Sequence, residues 1–215
     1  MGVDVFFVIS GYLITTHLSE QIKSGSFTFV NFYGRRVKRL MPALLCTLVL
    51  TAIAALWILP SALLNDFSES LVATSLYASN IFFYWQAGYF DTESHLKPLL
   101  HTWSLSVEEQ FYLIWPLLIL GAIKLKKLRL GIVVLAVGSL LAAEWFYKPG
   151  DSFTFFMFPF RIFEFAVGAI LYGVSLKHFS QFKRTLISAL GWGLVIASIL
   201  LLDEQSRMPG LLSLP

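Results

Sequence analysis

Long apolar runs separated by short charged segments extend through the whole chain. Residues 41–59 and 185–202 contain no charged side chain, and each run is long enough to cross a hydrocarbon core of about 30 Å as a helix. Four further apolar runs contain one or two charged residues each: 3–18, 103–123, 130–147 and 161–176. Backbone groups in lipid must bond internally, and these runs lack the alternation of barrel strands. The pattern predicts an all-α, polytopic transmembrane helical bundle with about six spans.

The apolar segment 71–85 is shorter and more polar than these runs. It contains Thr74, Ser75, Ser79 and Asn80. Basic residues concentrate in three segments, 23–39, 124–129 and 177–184. An excess of lysine and arginine marks cytoplasmic loops, so the chain must cross an even number of times between the first two segments. We therefore predict that 71–85 re-enters the membrane or lies along its outer face.

Composition and charge agree with a membrane protein. Hydrophobic residues make up 57% of the chain and charged residues 13%, and the mean hydropathy is +0.72. Soluble domains contain about 25% charged residues. The net charge is +3, but the basic residues lie between apolar runs, which favours membrane topology over a nucleic-acid partner. We therefore expect membrane lipids as a partner and no nucleic acid. No residue spacing suggests a metal site, so we expect no metal.

Two carboxylates lie near the start of the run 103–123, where burial of charge is costly and indicates function. Ser104 and Glu108 are four residues apart, so on a helix they share one face with Tyr112. A carboxylate there can orient an acceptor hydroxyl or a catalytic base. Ser106 and Glu109 have the spacing of a helix-capping box, which accounts for Glu109 but not for Glu108.

A second charged pair lies at the start of the run 161–176. Arg161 and Glu164 are three residues apart, and pairing them costs less than leaving either charge alone in lipid. Spacing alone therefore favours a structural pair. Asp4, near the start of the first run, either caps its helix or pairs with a base.

Arg35, Arg36 and Arg39 form a cationic cluster just before the uncharged run 41–59. The simpler interpretation is membrane topology together with binding of anionic headgroups. The alternative is that the guanidinium groups hold the phosphates of a cytoplasmic cofactor.

Four strings in the chain are unusual. They are GVDVFFVISGYLIT at 2–15, FYGRRVKRLMPA at 32–43, YFDTESHLKPLLHTWSLSVEEQFYLIWP at 89–116 and FPFRIFEFAVGA at 158–169. In these strings the chain resembles the acyltransferase-3 family of membrane O-acyltransferases. The resemblance implies a multi-pass protein of the bacterial inner membrane. It also implies transfer of an acyl group, commonly acetyl from acetyl-CoA in the cytoplasm, to a hydroxyl of a cell-surface carbohydrate or lipid-linked glycan.

The resemblance also implies roles for individual residues. The family's cytoplasmic arginine motif, linked with the acyl donor, is matched by Arg35, Arg36 and Arg39. The family motifs that suggest a catalytic site are matched by Ser104 and Glu108 (Ser-x-x-x-Glu), Asp4 (the signature helix), and Arg161 and Glu164 (Arg-x-x-Glu). No resident cofactor is implied, and acyl-CoA is the co-substrate.

One departure from the family pattern concerns the catalytic base. The family's first helix carries an arginine and, about three turns later, a histidine regarded as the base, and this helix precedes the string at 2–15. None of the four histidines occupies a matching position: His17, His95, His101 and His178. A histidine suits proton removal from a sugar hydroxyl at neutral pH. We therefore expect residues 1–215 to form a partial acyltransferase-3 membrane domain that lacks this first helix and the C-terminal helices and is inactive alone.

Two other functional classes remain open from the residues alone. Charges inside apolar helices are equally expected in a transporter or permease, although the chain shows no inverted repeat and no matched pair of broken helices. A non-catalytic membrane subunit that binds a partner is the third possibility.

Overall fold

The computed structural model describes residues 2–87, 96–174, 179–201, 209 and 210. Within these residues the regular structure is helical, which confirms the predicted all-α class. The α-helices are α1 (Gly2–Lys23), α2 (Phe29–Ile58), α3 (Ser61–Ser75), α4 (Ser79–Gln86), α5 (Trp103–Lys124), α6 (Leu128–Phe146), α7 (Phe153–Phe156), α8 (Ile162–Ile170) and α9 (Gln181–Leu201). Short 3₁₀ turns at Leu100–Thr102 and Phe158–Phe160 precede α5 and α8.

Four helical segments in the described part of the chain are long and apolar enough to cross a membrane. They are α1, α2, α6 and the segment Leu100–Lys124, which contains α5. The total of six spans stays a prediction. The run 161–176 forms only the nine-residue α8, because a turn with Gly173 at a φ of +77° follows that helix.

The segment 71–85 is divided between two helices. A turn separates the 15-residue α3 from the 8-residue α4, and in it Tyr77 has a φ of +53°. Neither helix has the roughly 20 residues that a span requires. Whether this segment re-enters the membrane or lies along its outer face stays a prediction.

The chain folds into two compact units. The first contains Met1–His17, Gly121–Phe155 and Pro159–Pro215, and the second contains Leu18–Leu120 and Phe156–Phe158. In the first unit the backbones of α1 and α8 touch. A Cβ atom on Gly11 would collide with the carbonyl of Phe165, and one on Gly168 with the carbonyl of Val8. Small residues allow such close helix packing in membranes.

In the second unit, buried hydroxyl groups join α3, α4 and α5. The Ser79 and Ser106 oxygens are 2.7 Å apart, and the Thr74 and Thr102 oxygens are 3.0 Å apart. The Thr102 hydroxyl also donates to Ser79 over 3.1 Å. The predicted capping box at Ser106 is wrong, because the helix begins before this residue. The 3₁₀ turn leads directly into α5 at Trp103, so Ser106 is already inside the helix.

Candidate active site

Arg161 is the centre of a buried charged cluster in the first unit. It is the N-cap residue of α8 and is only 1% exposed. Its Nη1 donates to Asp4 Oδ1 at 2.8 Å and to Glu164 Oε1 at 2.6 Å. We call Asp4, Arg161 and Glu164 the Arg161 cluster. The predicted pair of Arg161 with Glu164 is confirmed, and Asp4 pairs with a basic residue.

Further contacts fix the guanidinium of Arg161. Its Nε donates to the Phe155 carbonyl over 3.1 Å, and its Cζ lies 4.8 Å from the centre of the Phe155 ring. Glu164 Oε2 is buried and has no hydrogen-bond partner among the described residues. The cluster therefore combines a fixed cation with a carboxylate oxygen that can accept one more hydrogen bond.

The arginine motif in the second unit lies inside α2 and not in a loop, where the charge pattern placed it. Thr28 caps this helix by accepting a hydrogen bond from the Asn31 backbone at 3.3 Å, so the helix begins before the arginines. Arg35 is exposed and donates to Gln21 Oε1 over 3.2 Å, and Arg39 is exposed. Arg36 is half-buried, and its Cζ lies 3.4 Å from the centre of the Tyr112 ring.

Tyr112 connects this arginine to the predicted Ser-x-x-x-Glu motif. Its hydroxyl donates to Oε1 of Glu108, one helical turn earlier, and Glu108 is 5% exposed. The shared face that helical spacing predicted for these residues is confirmed. Ser104 is half-buried, and its hydroxyl donates to the His101 carbonyl over 3.1 Å.

A cavity of about 260 Å³ lies beside Arg36 in the second unit. Its lining residues come from α2, α5 and the turn between α3 and α4: Tyr33, Arg36, Leu76, Tyr77, Glu109, Gln110, Tyr112 and Leu113. Glu109 Oε1 is buried and has no hydrogen-bond partner within the described residues. Sequence reasoning assigned Glu109 to a helix cap and missed Gln110 and Tyr77. The signal available for Glu109 was a second carboxylate in an apolar helix.

The predicted site residues divide between the two units. The first unit holds the Arg161 cluster, and the second holds Ser104, Glu108 and the three arginines. Among the described residues, no group of three or more His, Cys, Asp or Glu side chains is placed to hold a metal ion. His95 and His178 lie outside the described residues.

Comparison with known proteins adds family membership. The family model of the acyltransferase domain, acyltransferase-3, matches residues 1–209. The peptidoglycan O-acetyltransferase OatA of Listeria monocytogenes is 41% identical over 160 residues, which cover 71% of this chain and 25% of that protein. The O-acetyltransferase OatA of Staphylococcus aureus is 40% identical over 120 residues, covering 55% of this chain and 20% of that protein.

An uncharacterised protein of Haemophilus influenzae is 39% identical over 121 residues, which cover 56% of this chain and 49% of that protein. The chain thus spans between a fifth and a half of the length of these relatives. No solved structure matches the chain. The match over residues 1–209, together with the long apolar helices, shows that the chain is a multi-pass membrane protein of the acyltransferase-3 family.

Proposed function

We propose that this chain forms the core of a membrane O-acyltransferase. It transfers an acyl group, acetyl in the simplest case, from acyl-CoA to a hydroxyl of a cell-surface carbohydrate or lipid-linked glycan. The names of its relatives support an O-acetyl transfer. The observation that carries the proposal is the contact series from Arg36 through the Tyr112 ring and hydroxyl to Glu108. It joins the arginine motif to the Ser-x-x-x-Glu motif within one compact unit.

In this proposal the arginines bind the acyl donor. Exposed guanidinium groups at Arg35 and Arg39 have the geometry to hold phosphate oxygens in pairs, and Arg36 lies one residue from Arg35. The diphosphate and 3′-phosphate of acyl-CoA provide such oxygens. The competing role of these arginines, binding anionic lipid headgroups, does not explain why Arg36 stacks on a tyrosine that is bonded to Glu108.

The transfer step needs a positioned hydroxyl and a place for its proton. The hydroxyl oxygen forms a bond to the thioester carbonyl carbon and gives its proton to a base. The carbon–sulfur bond breaks, and the base passes the proton to the departing sulfur, so coenzyme A leaves as the thiol. We assign Glu108, held by Tyr112, to orienting the hydroxyl or its base, and Ser104 to the same face. The Arg161 cluster is assigned to the acceptor, because buried ionic groups in membrane helices mark substrate paths.

Acyl transfer from radiolabelled acetyl-CoA by the full-length protein in vesicles tests this function. Glu108→Gln keeps the shape of the side chain and removes its charge, so we expect transfer to fall by about 100-fold or more while membrane insertion is retained. Glu69→Gln is a matched control, because Glu69 is exposed and bonded only to Asn65 at 3.2 Å among the contacts described. Full activity of Glu108→Gln would reject the role of this residue.

The same assay separates the other two classes. A transporter would accumulate the substrate inside the vesicles without modifying it. A non-catalytic subunit would neither accumulate nor modify it.

A further inference from the structure

Two adjacent carboxylates on α5 have different surroundings. Glu108 is buried and accepts the Tyr112 hydroxyl, whereas Glu109 lines the cavity beside Arg36. Successive residues of a helix point about 100° apart, so one side chain faces the cavity and its neighbour does not. Glu109 Oε1 is buried with no hydrogen-bond donor among the described residues. A buried carboxylate oxygen without a donor is costly, and a ligand N–H or O–H in the cavity would remove that cost.

Most other polar groups of this cavity already have partners. Gln110 Nε2 donates to Asn80 Oδ1 at 2.9 Å and to the Tyr77 carbonyl at 3.3 Å. The Tyr33 hydroxyl donates to the Leu113 carbonyl over 2.8 Å. Among the described groups that line the cavity, Glu109 Oε1 is a buried acceptor without a donor, and Arg36 is the nearby cation. A sugar, with a hydroxyl on most of its carbons, would leave several polar groups unsatisfied here.

The walls of the cavity point to a ligand with apolar as well as polar groups. The cavity has a volume of about 260 Å³ and is partly open to its surroundings. Leu76 and Leu113 provide apolar wall, and the tyrosine rings provide more. A chain of methylene and amide groups matches such walls better than a charged group does.

We propose, resting on the function proposed above, that Glu109 binds the pantetheine arm of the acyl-CoA donor in this cavity. The Glu109 carboxylate accepts a hydrogen bond from an amide N–H of the arm. Arg36 lines the cavity and is also part of the arginine motif. In this proposal it therefore lies where the pantetheine arm is joined to the diphosphate of the donor. Glu109 is thus a binding residue for the donor, and the arm is the part of the donor that it recognises.

Displacement of a fluorescent coenzyme A from the full-length protein in nanodiscs tests this assignment. The competing fragments are pantetheine and adenosine 3′,5′-bisphosphate. Glu109→Gln removes a charged acceptor, so we expect pantetheine and coenzyme A to bind about tenfold more weakly, with the bisphosphate unchanged. Arg39→Gln should have the opposite pattern and weaken the bisphosphate. Glu69→Gln, which changes an exposed carboxylate on α3, should change neither.

A second variant tests the cavity without removing the carboxylate. Leu76→Trp places a larger side chain at the cavity wall, and Leu76 is 72% exposed, so the fold should tolerate the change. It should weaken pantetheine binding and leave the bisphosphate unchanged.

The possible failures differ for the two proposals. The unaltered protein could bind coenzyme A while pantetheine binding is unchanged in both Glu109→Gln and Leu76→Trp. That result overturns the assignment of the arm and leaves the proposed function standing. Weaker bisphosphate binding in Glu109→Gln overturns it too, because the adenosine end would then occupy the cavity. An unaltered protein that binds no coenzyme A overturns both proposals.

Discussion

At the scale of single residues, Arg161 forms ion pairs with two buried carboxylates. We therefore expect its substitution to lower the stability of the fold. Arg161→Gln would leave Asp4 and Glu164 buried without their shared cation. Removing one partner of a buried ion pair costs about 3–5 kcal/mol in soluble proteins. We expect the midpoint of thermal aggregation, measured by fluorescence-detected size exclusion after heating, to fall by several degrees.

Two companion variants make this result specific. Arg129→Gln changes an exposed arginine and should leave the midpoint unchanged. The double variant Arg161→Gln/Glu164→Gln removes one of the two remaining charges and should recover part of the loss. An equal midpoint for Arg161→Gln and Arg129→Gln would show that the ion pairs do not stabilise the fold.

Tyr112 contacts Arg36 through its ring and Glu108 through its hydroxyl, and two substitutions distinguish these contacts. Tyr112→Phe keeps a ring beneath Arg36 and removes the hydroxyl that Glu108 accepts, whereas Tyr112→Leu removes both contacts. Loss of a hydrogen bond to a charged group costs enough free energy to lower an equilibrium or rate constant by a factor of about ten or more. We therefore expect Tyr112→Phe to lower kcat about tenfold with little change in KM for acyl-CoA, and Tyr112→Leu to raise that KM as well. A raised KM with unchanged kcat in Tyr112→Phe would contradict the positioning of Glu108 by Tyr112.

The sequence could predict contacts within one helix and not those between distant segments. Helical spacing predicted the Arg161–Glu164 pair and the shared face of Glu108 and Tyr112, because three or four residues make one turn. Asp4 is 157 residues from Arg161 along the chain, so its partner stayed open until the fold was known. Spacing also cannot tell which of two adjacent carboxylates faces a cavity, and for this reason Glu109 was assigned to a cap.

At the scale of elements, the crossing of α1 and α8 depends on two glycines. Gly168→Ala would place a Cβ against the Val8 carbonyl and 2.9 Å from the Tyr12 nitrogen, so the two backbones would have to separate. Overpacking of this kind costs about 1–3 kcal/mol. Gly138→Ala is the matched control, because no described atom outside its own helix backbone lies within 4 Å of the added Cβ in α6, and alanine favours a helix by about 1 kcal/mol.

Heating curves of the two alanine variants, followed by size exclusion, measure the difference. Gly168→Ala should be less stable than the unaltered protein, and Gly138→Ala should be equally or more stable. If both changes have the same effect, close backbone contact is not what fixes this crossing.

The start of α2 differs from what the charge pattern predicted, because the three arginines lie inside this helix and not in a loop. Three arginines close together suggested a loop, yet arginine is a good helix former and the Thr28 cap starts the helix one to two turns earlier. Within the helix, Arg36 reaches the Tyr112 ring, and Tyr112 is the tenth residue of the 22-residue α5. An arginine motif interpreted as a topology signal therefore contacts the middle of a potential membrane span.

At the scale of the whole molecule, composition and the lengths of apolar runs were sufficient to predict a helical membrane protein. They were not sufficient to predict the division into two compact units, because the first unit combines segments from the start, middle and end of the chain. Such a grouping depends on contacts between distant residues such as Asp4 with Arg161 and Gly11 with Phe165. The periodicity of a single segment contains no information about these contacts.

Membrane topology is the remaining property of the whole chain, and two single cysteines can measure it. Cys46 is exposed and is first replaced by alanine. Trp85→Cys then reports on α4, and Leu125→Cys reports on the turn between α5 and α6 without removing a basic residue; the two native side chains are 77% and 71% exposed. The positive-inside rule places the lysines around residue 125 in the cytoplasm.

An impermeant thiol reagent added to intact cells should therefore label the cysteine at 85, and should label the cysteine at 125 only after permeabilisation. The short lengths of α3 and α4 agree with this outcome, because neither can carry the chain across the bilayer alone. Labelling of the cysteine at 85 only from the cytoplasm would add or remove one crossing between the arginine motif and α5. It would then place Arg36 and the segment 124–129 on opposite sides, and the proposed route for a cytoplasmic donor would have to be abandoned.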